Sequence, residues 1–156
     1  MFGKLNRKAV VTAGAVLLIA AGGAYAYWTT TGSGTGSATN GTSVGITINQ
    51  TSTITGLYPG GPAVALSGNF DNTNSGAVYV GTVTATLVDV TGGSGGTPAC
   101  TTADYTLASP AATVNADIAS GTGVGAWSGP TIQLKNLATN QDACKNATVN
   151  LAYTSN

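Results

Sequence analysis

The chain has 156 residues, of which only 6% are charged, and it contains neither histidine nor glutamate. Three of its five cations, Lys4, Arg7 and Lys8, lie at the N-terminus, so residues 27–156 hold two lysines against five aspartates, a net charge of −3. No basic patch is present for nucleic acid or for an anionic membrane surface, and no Ser-His-Asp or Cys-His catalytic arrangement can be built.

The N-terminal segment has the three parts of a secretory signal. A basic head is followed by an apolar, uncharged stretch and then by Ala24-Tyr25-Ala26, a small-x-small cleavage site. We expect signal peptidase to cut between Ala26 and Tyr27 at the membrane during export, which makes residues 1–26 a signal peptide. Residues 9–28 are also nearly long enough to span a bilayer, so an uncleaved N-terminal helix that anchors the protein is the alternative.

Residues 27–43 form a Thr/Gly/Ser-rich arm without a large apolar side chain after Trp28. This composition is typical of a flexible linker, or of a segment that becomes ordered on a partner. Tyr27 and Trp28 have two interpretations. They belong to an interfacial aromatic belt of the signal helix, or they are anchors for a groove on a neighbouring molecule.

Residues 44–156 are predicted to be one β-sandwich domain. Val44, Ile46 and Ile48 alternate with small or polar residues, which indicates a half-buried strand, and a short run at 53–55 continues it or begins another. Turns are expected at 56–62 and 71–76, where glycine, proline and asparagine cluster. Further strands are expected at 64–70, 77–90, 105–107, 113–118, 131–137 and 147–153. Seven to nine short strands without a helical period predict an antiparallel, all-β fold behind the N-terminal helix.

Two details of this sandwich carry specific expectations. In the run 77–90, apolar residues occur at both even and odd positions: Val78, Val80 and Val88 at even ones, and Val83, Ala85 and Leu87 at odd ones. This pattern predicts a central strand buried on two faces, or two strands divided near Gly81. Trp127 stands among glycines and a proline, which predicts a loop whose indole packs into the core, with a ligand-binding platform as the alternative.

Cys100 and Cys144 are the only cysteines. In an oxidising compartment such a pair forms a disulfide, here closing a loop of about 45 residues and joining the loop at Cys100 to the entry of the last strand. The chain has no C-x-x-C motif, and residues 27–156 have no histidine or arginine to lower a thiol pKa, so a redox-active role is disfavoured.

The five aspartates do not form a recognisable active site. They are scattered, and zinc would need histidine, cysteine or clustered carboxylates. We therefore expect no catalytic residue, no metal and no cofactor. Asp71 at the start of Asp71-Asn72-Thr73-Asn74-Ser75-Gly76 resembles the first position of a calcium loop, but the twelfth position is Thr82 instead of glutamate. A turn is the main interpretation and a weak calcium site the alternative.

The order of several short motifs resembles the TasA/camelysin family of exported bacterial matrix proteins. The motifs are the aromatic pair beside the cleavage site, the strand that begins at Gly41 and carries Val44, Ile46 and Ile48, the turn Leu57-Tyr58-Pro59-Gly60, the turn Asn74-Ser75-Gly76 and the Val-rich strand that follows. The resemblance covers residues 1–87. It implies a jelly-roll-like sandwich and a fibre-forming or biofilm-matrix role in which an N-terminal strand is donated to the next subunit.

We therefore predict a non-enzymatic, secreted or cell-surface structural protein that binds copies of itself through an arm containing Tyr27, Trp28, Val44, Ile46 and Ile48. A monomeric binding module, secreted or held by an uncleaved helix, is the second hypothesis. A secreted metalloendopeptidase, the activity described for camelysin-like members, is the third. It is remote because no histidine or glutamate is present to hold or serve a metal.

Cleavage after Ala26 predicts a mature protein that begins at Tyr27. N-terminal sequencing and intact mass of the exported protein should give residues 27–156. A protein that begins at Met1 or Phe2 and is recovered in the membrane fraction would contradict this and favour the anchored form.

Overall fold

The computed structural model describes residues 35–156, and these residues contain seven strands and two single turns of 3-10 helix. The 3-10 turns are Thr102–Asp104 and Asp142–Cys144. The strands are β1 (Thr47–Gln50), β2 (Val64–Asn72), β3 (Val78–Gly92), β4 (Tyr105–Ala108), β5 (Ala111–Ile118), β6 (Gly121–Leu134) and β7 (Ala147–Ser155).

The strands form two antiparallel sheets. The first sheet has the order β1-β2-β6-β4 and the second has the order β5-β3-β7. The predicted all-β, sandwich-like fold is thereby confirmed. The N-terminal helix of the prediction, signal or anchor, lies outside the described residues. Among residues 35–156, no helix has the length and apolar character needed to cross a membrane.

The core lies between the two sheets, because each sheet contributes one apolar face to it. β2 shows the alternation clearly: Leu66, Gly68, Phe70 and Asn72 are buried and the residues between them are not. A period of two is what a strand with one buried face requires. The largest fully buried apolar side chains come from both sheets: Phe70, Leu66 and Ile132 from the first, and Val80 and Val83 from the second.

The predicted turn at 56–62 is present between β1 and β2. The amide of Gly61 donates to the carbonyl oxygen of Tyr58 at 2.9 Å, and Gly60 has φ +70°. Proline at the second position and a positive φ at the third are the features of a type II turn, which explains why Pro59 is followed by glycine. The predicted turn at 71–76 begins later in the structure, because Asp71 and Asn72 end β2; residues 73–77 connect β2 with β3 and so join the two sheets.

β3 is the central strand of the second sheet, as predicted, but the expectation of two buried faces is wrong. Val80, Val83 and Ala85 are all buried, although the first two are three positions apart. The register with β5 shifts between Val80 and Thr82. Such an irregularity reverses the alternation, so that even-numbered residues face the core before it and odd-numbered residues face the core after it. The outer face of β3 is exposed, with Tyr79 at 60% and Val88 at 56% relative exposure.

Two further expectations are corrected. Trp127 lies in β6 and not in a loop, because this 14-residue strand begins at Gly121, well before the predicted start at Thr131. The indole is nevertheless packed in the core, with only 2% exposure, as expected. Residues 53–55 form no strand and belong to the connection from β1 to β2.

Gly68 is required for the pairing of β1 with β2. A Cβ atom there would overlap the carbonyl oxygen of Asn49 and lie 2.7 Å from Nε1 of Trp127. We expect Gly68→Ala to lower the free energy of unfolding by about 2 kcal/mol, since backbone must move to admit the methyl group. Urea denaturation measures this. Gly76→Ala, where a Cβ meets nothing within 4 Å, is the matched control, and equal losses in the two variants would contradict the assignment.

Candidate functional site

The structure confirms the disulfide between Cys100 and Cys144, whose Cα atoms are 4.9 Å apart. It joins the loop before β4 to the second 3-10 turn, just ahead of β7. Ala24, Ala26, Tyr27 and Trp28 lie outside the described residues, so the cleavage site and the aromatic end of the arm stay predictions.

One group of potential metal ligands occurs within residues 35–156, namely the two cysteines and Asp104. Its sulfur atoms are joined to each other, so no thiolate is present to bind a metal. The Asp104 carboxylate has protein donors of its own. Oδ2 accepts from the amide and hydroxyl of Thr101, and Oδ1 accepts from Nε2 of Gln141. This arrangement caps a 3-10 turn and orders the polypeptide around the disulfide.

The Asp71 carboxylate also forms a hydrogen bond that connects β2 with β6. Its Oδ1 accepts from the amide of Gly123, near the start of β6, at 2.7 Å. Hydrogen bonds from the Asn49 side chain and from this amide hold the pKa of Asp71 below its ordinary value. The stability that this carboxylate gives is therefore present above the unfolded-state pKa, and is lost as the pH falls through the lower, folded-state value. The calcium alternative stays untested, and the turn interpretation agrees with these contacts.

Of the five predicted arm residues, the structure describes Val44, Ile46 and Ile48, and these form the root of the arm. Ile46 and Ile48 are half-buried and pack against the core, and Ile48 stands opposite Phe70 where β1 pairs with β2 of the same chain. Val44 is different, since its side chain is 59% exposed and it precedes β1. Its backbone is held by a side chain: the amide donates to Oδ1 of Asn74 at 2.7 Å, and its carbonyl oxygen accepts from Nδ2 of Asn74 at 2.9 Å.

Asn74 is itself oriented by Asn72, the one polar side chain that is almost fully buried among the described residues. Oδ1 of Asn72 accepts from both the backbone amide and Nδ2 of Asn74, at 3.0 and 2.8 Å. Nδ2 of Asn72 donates to the carbonyl oxygens of Gly76 and Ile118. The side-chain hydrogen bonds thus link the end of β5 to the arm.

β7 is an edge strand of the second sheet. It pairs with β3 on one side, and no other strand of residues 35–156 pairs with its second side. Its nine residues, Ala-Thr-Val-Asn-Leu-Ala-Tyr-Thr-Ser, include no charge, no proline and no glycine. Natural edge strands are usually shortened, charged, interrupted or covered, because an open row of amides and carbonyls pairs readily with other chains.

A groove of about 730 Å³ lies beside the first half of β7. Its apolar lining comes from the connection after β1, from the first sheet and from β7: Ile54, Leu57, Tyr105, Ile132, Val149 and Leu151. Gln50, Lys145, Asn146 and Asn150 add polar groups to the lining. The exposed lining of the groove is more polar than apolar, so it suits a ligand or a segment of another chain that offers hydrogen-bonding groups together with large side chains.

The second half of β7 is tied to the core through Tyr153. Its ring lies 4.8 Å from that of Trp127, at an interplanar angle of 47°. Burial raises the pKa of Tyr153, so its hydroxyl stays protonated and donates to Oε1 of Gln50 at the end of β1. Nε1 of Trp127 is buried without a hydrogen-bond partner in residues 35–156. Tyr153 of β7 thus contacts β6 through its ring and β1 through its hydroxyl.

Comparison with protein-family models, with curated proteins and with solved structures found no match to this chain.

The sequence alone does not indicate that β7 is an open sheet edge or that Asn74 contacts Val44, although each leaves a trace. Residues 146–156 lack any charge, which is visible in the sequence and marks an unprotected edge once the strand order is known. In the sequence Asn74 indicates only an Asn-x-Gly turn, since its contact with Val44 spans 30 positions.

The disulfide should contribute strongly to stability, because it closes a long loop in the unfolded chain. We expect the double variant Cys100→Ser/Cys144→Ser to lose up to about 4 kcal/mol of unfolding free energy, the chain-entropy value for a loop of this length. Urea denaturation measures the loss. The wild-type protein in excess dithiothreitol should match the variant, and an unchanged midpoint in both cases would show that the crosslink carries little stability.

Proposed function

We propose that this chain is a non-enzymatic, exported structural subunit that assembles with copies of itself into surface or matrix fibres by strand donation. The observation that carries the proposal is the open edge of β7. A sheet edge of this kind gains backbone hydrogen bonds when an extended segment adds to it, and this is a recurring mode of protein association.

β7 is the best acceptor among the four edge strands of the described residues. β1 and β4 have four residues each, too few for an extended interface. β5 has eight, but Asn115 has φ +47°, the register with β3 is irregular there, and Asp117 carries a charge. β7 has nine residues without charge, proline or glycine. Its pairing with β3 has one irregularity, between Leu87 and Asp89, and the extra residue there belongs to β3, so β7 itself is continuous.

The groove beside β7 favours a donor that carries large side chains. Backbone pairing gives affinity with little selectivity, and pockets for alternate side chains give the specificity. Tyr27 and Trp28, at the start of the mature chain that we predict, supply two aromatic anchors. Such residues often dominate the binding energy of an interface.

Because β1 pairs with β2 of the same chain, the arm is divided into two parts. Ile46 and Ile48 are held by their own domain in this structure, so they form the root of the arm. The segment proposed to reach the neighbour is residues 27–43. If fully extended, these 17 residues span at most roughly 55–60 Å, which is ample for pairing with a nine-residue strand of another subunit.

The uncharged exterior supports the same proposal. Residues 27–156 have few charges, so neighbouring subunits experience little mutual repulsion. The disulfide is compatible with an oxidising, extracellular location. The motif order that resembles the TasA/camelysin family adds the jelly-roll form of the sandwich and the biofilm-matrix setting to the proposal.

A monomeric binding module is the second candidate, and the 730 Å³ groove is the observation that favours it. In that case the groove would bind a ligand and β7 would stay unpaired. An uncleaved N-terminal helix would hold such a module at the cell surface. The two functions differ in one property, which is whether the mature protein polymerises through β7.

Strand donation predicts that assembly needs both the arm and the β7 edge. Deleting residues 27–42 from mature protein should abolish polymers in size-exclusion chromatography and electron microscopy. Thr148→Lys should reduce polymer yield at least tenfold, because a lysine on an edge strand opposes pairing.

Thr113→Lys is the matched control, since it puts the same charge on β5, the other edge of the second sheet. We expect it to polymerise like wild type. Polymers that persist without the arm would refute strand donation. Equal loss in both lysine variants would show that charge alone, and not the β7 edge, controls assembly.

A further inference from the structure

We propose that Asn74 positions the assembly arm, by binding the main chain of its own arm at Val44. The inference rests on the proposed function for the arm's role in assembly. The contact between Asn74 and Val44 is observed within residues 35–156 and does not depend on the proposed function.

The Asn74 amide binds Val44 as a neighbouring strand would. Its Oδ1 accepts from the Val44 amide at 2.7 Å, and its Nδ2 donates to the Val44 carbonyl oxygen at 2.9 Å. This two-bond exchange with one residue is the pattern of a hydrogen-bonded pair in an antiparallel ladder. β1 begins only at Thr47, so Asn74 extends the fixed part of the chain by three residues beyond the strand.

The polarity of the amide is fixed by its surroundings. Oδ1 of Asn72 accepts from Nδ2 of Asn74 at 2.8 Å, which places the Asn74 nitrogen on that side. Asn72 is buried, and its own nitrogen donates to the carbonyl oxygens of Gly76 and Ile118, so its orientation is determined in turn. A buried, fully bonded asparagine is costly to displace. The site is therefore preorganised before the arm binds.

Asn74 binds the backbone of Val44 and not its side chain, which is 59% exposed. The contact would fix the position at which the arm joins the domain. With Val44 fixed, the segment proposed to reach the neighbour, residues 27–43, is joined to the domain at one place, beside the turn between β2 and β3. A fixed origin reduces the conformations lost when the arm pairs with a neighbour, and thereby favours assembly.

The experiment compares mature wild type with Asn74→Ala and with Asn136→Ala, an exposed asparagine for which no side-chain hydrogen bond is seen in the described residues. In monomers at low concentration, hydrogen exchange read by NMR should be about tenfold faster at the Val44 amide in Asn74→Ala and unchanged in Asn136→Ala. At higher concentration, Asn74→Ala should need about ten times more protein to polymerise.

Val44→Pro tests the contact from the opposite side, in case Asn74→Ala impairs folding. It removes the N–H that Asn74 accepts from and leaves the turn intact, so it should raise the polymerisation concentration similarly. Unchanged Val44 exchange in a folded Asn74→Ala protein would overturn the clamp. Faster exchange with normal polymerisation would overturn its positioning role. A wild type that never polymerises would refute the proposed function and that role together, and the exchange data would still show whether the clamp exists.

Discussion

Main-chain hydrogen bonding is the constraint on which this protein depends. Two sheets bury their apolar faces against each other, and every buried amide and carbonyl must find a partner. Inside the sheets the ladders provide these partners. At the margins, side chains provide the partners. Oδ1 of Asn74 accepts from the Val44 amide, Nδ2 of Asn72 donates to the Ile118 carbonyl oxygen, and Oδ1 of Asp71 accepts from the Gly123 amide. The outer side of β7, the longest of the four edge strands, has no such arrangement within the described residues.

The shortage of charge shapes how this architecture behaves. Ordinary domains carry enough charged side chains to keep copies apart and to protect strand edges. Here the polar exterior is built from Thr, Ser, Asn and Gly, which interact with water but repel nothing. Short polar side chains are also well suited to hydrogen-bond backbone, so the same composition that allows self-association supplies the Asn72 and Asn74 contacts.

The sequence predicted those features that depend on local period or local turn chemistry. Leu66 and Phe70 alternate with polar neighbours, and Pro59-Gly60 specifies a turn, so the strand and the turn were readable. Trp127 was misplaced because glycines on either side hide a strand signal, while the strand is held by pairing with β2 and β4. The face of β3 was misjudged because a register shift leaves no local signature. The Val44–Asn74 contact was invisible for a related reason, since pairing over 30 positions is decided by topology.

The packing of Trp127 against Tyr153 has a practical consequence. The indole is an environment-sensitive fluorophore, and it stands in van der Waals proximity to a ring carried by β7. The chain has only one other tryptophan, Trp28. Mature protein without residues 27–42 would keep Trp127 as its single tryptophan, to which tyrosines such as Tyr153 can transfer excitation energy. Occupation of the open edge by any strand would then be visible as a change in emission, without an attached dye.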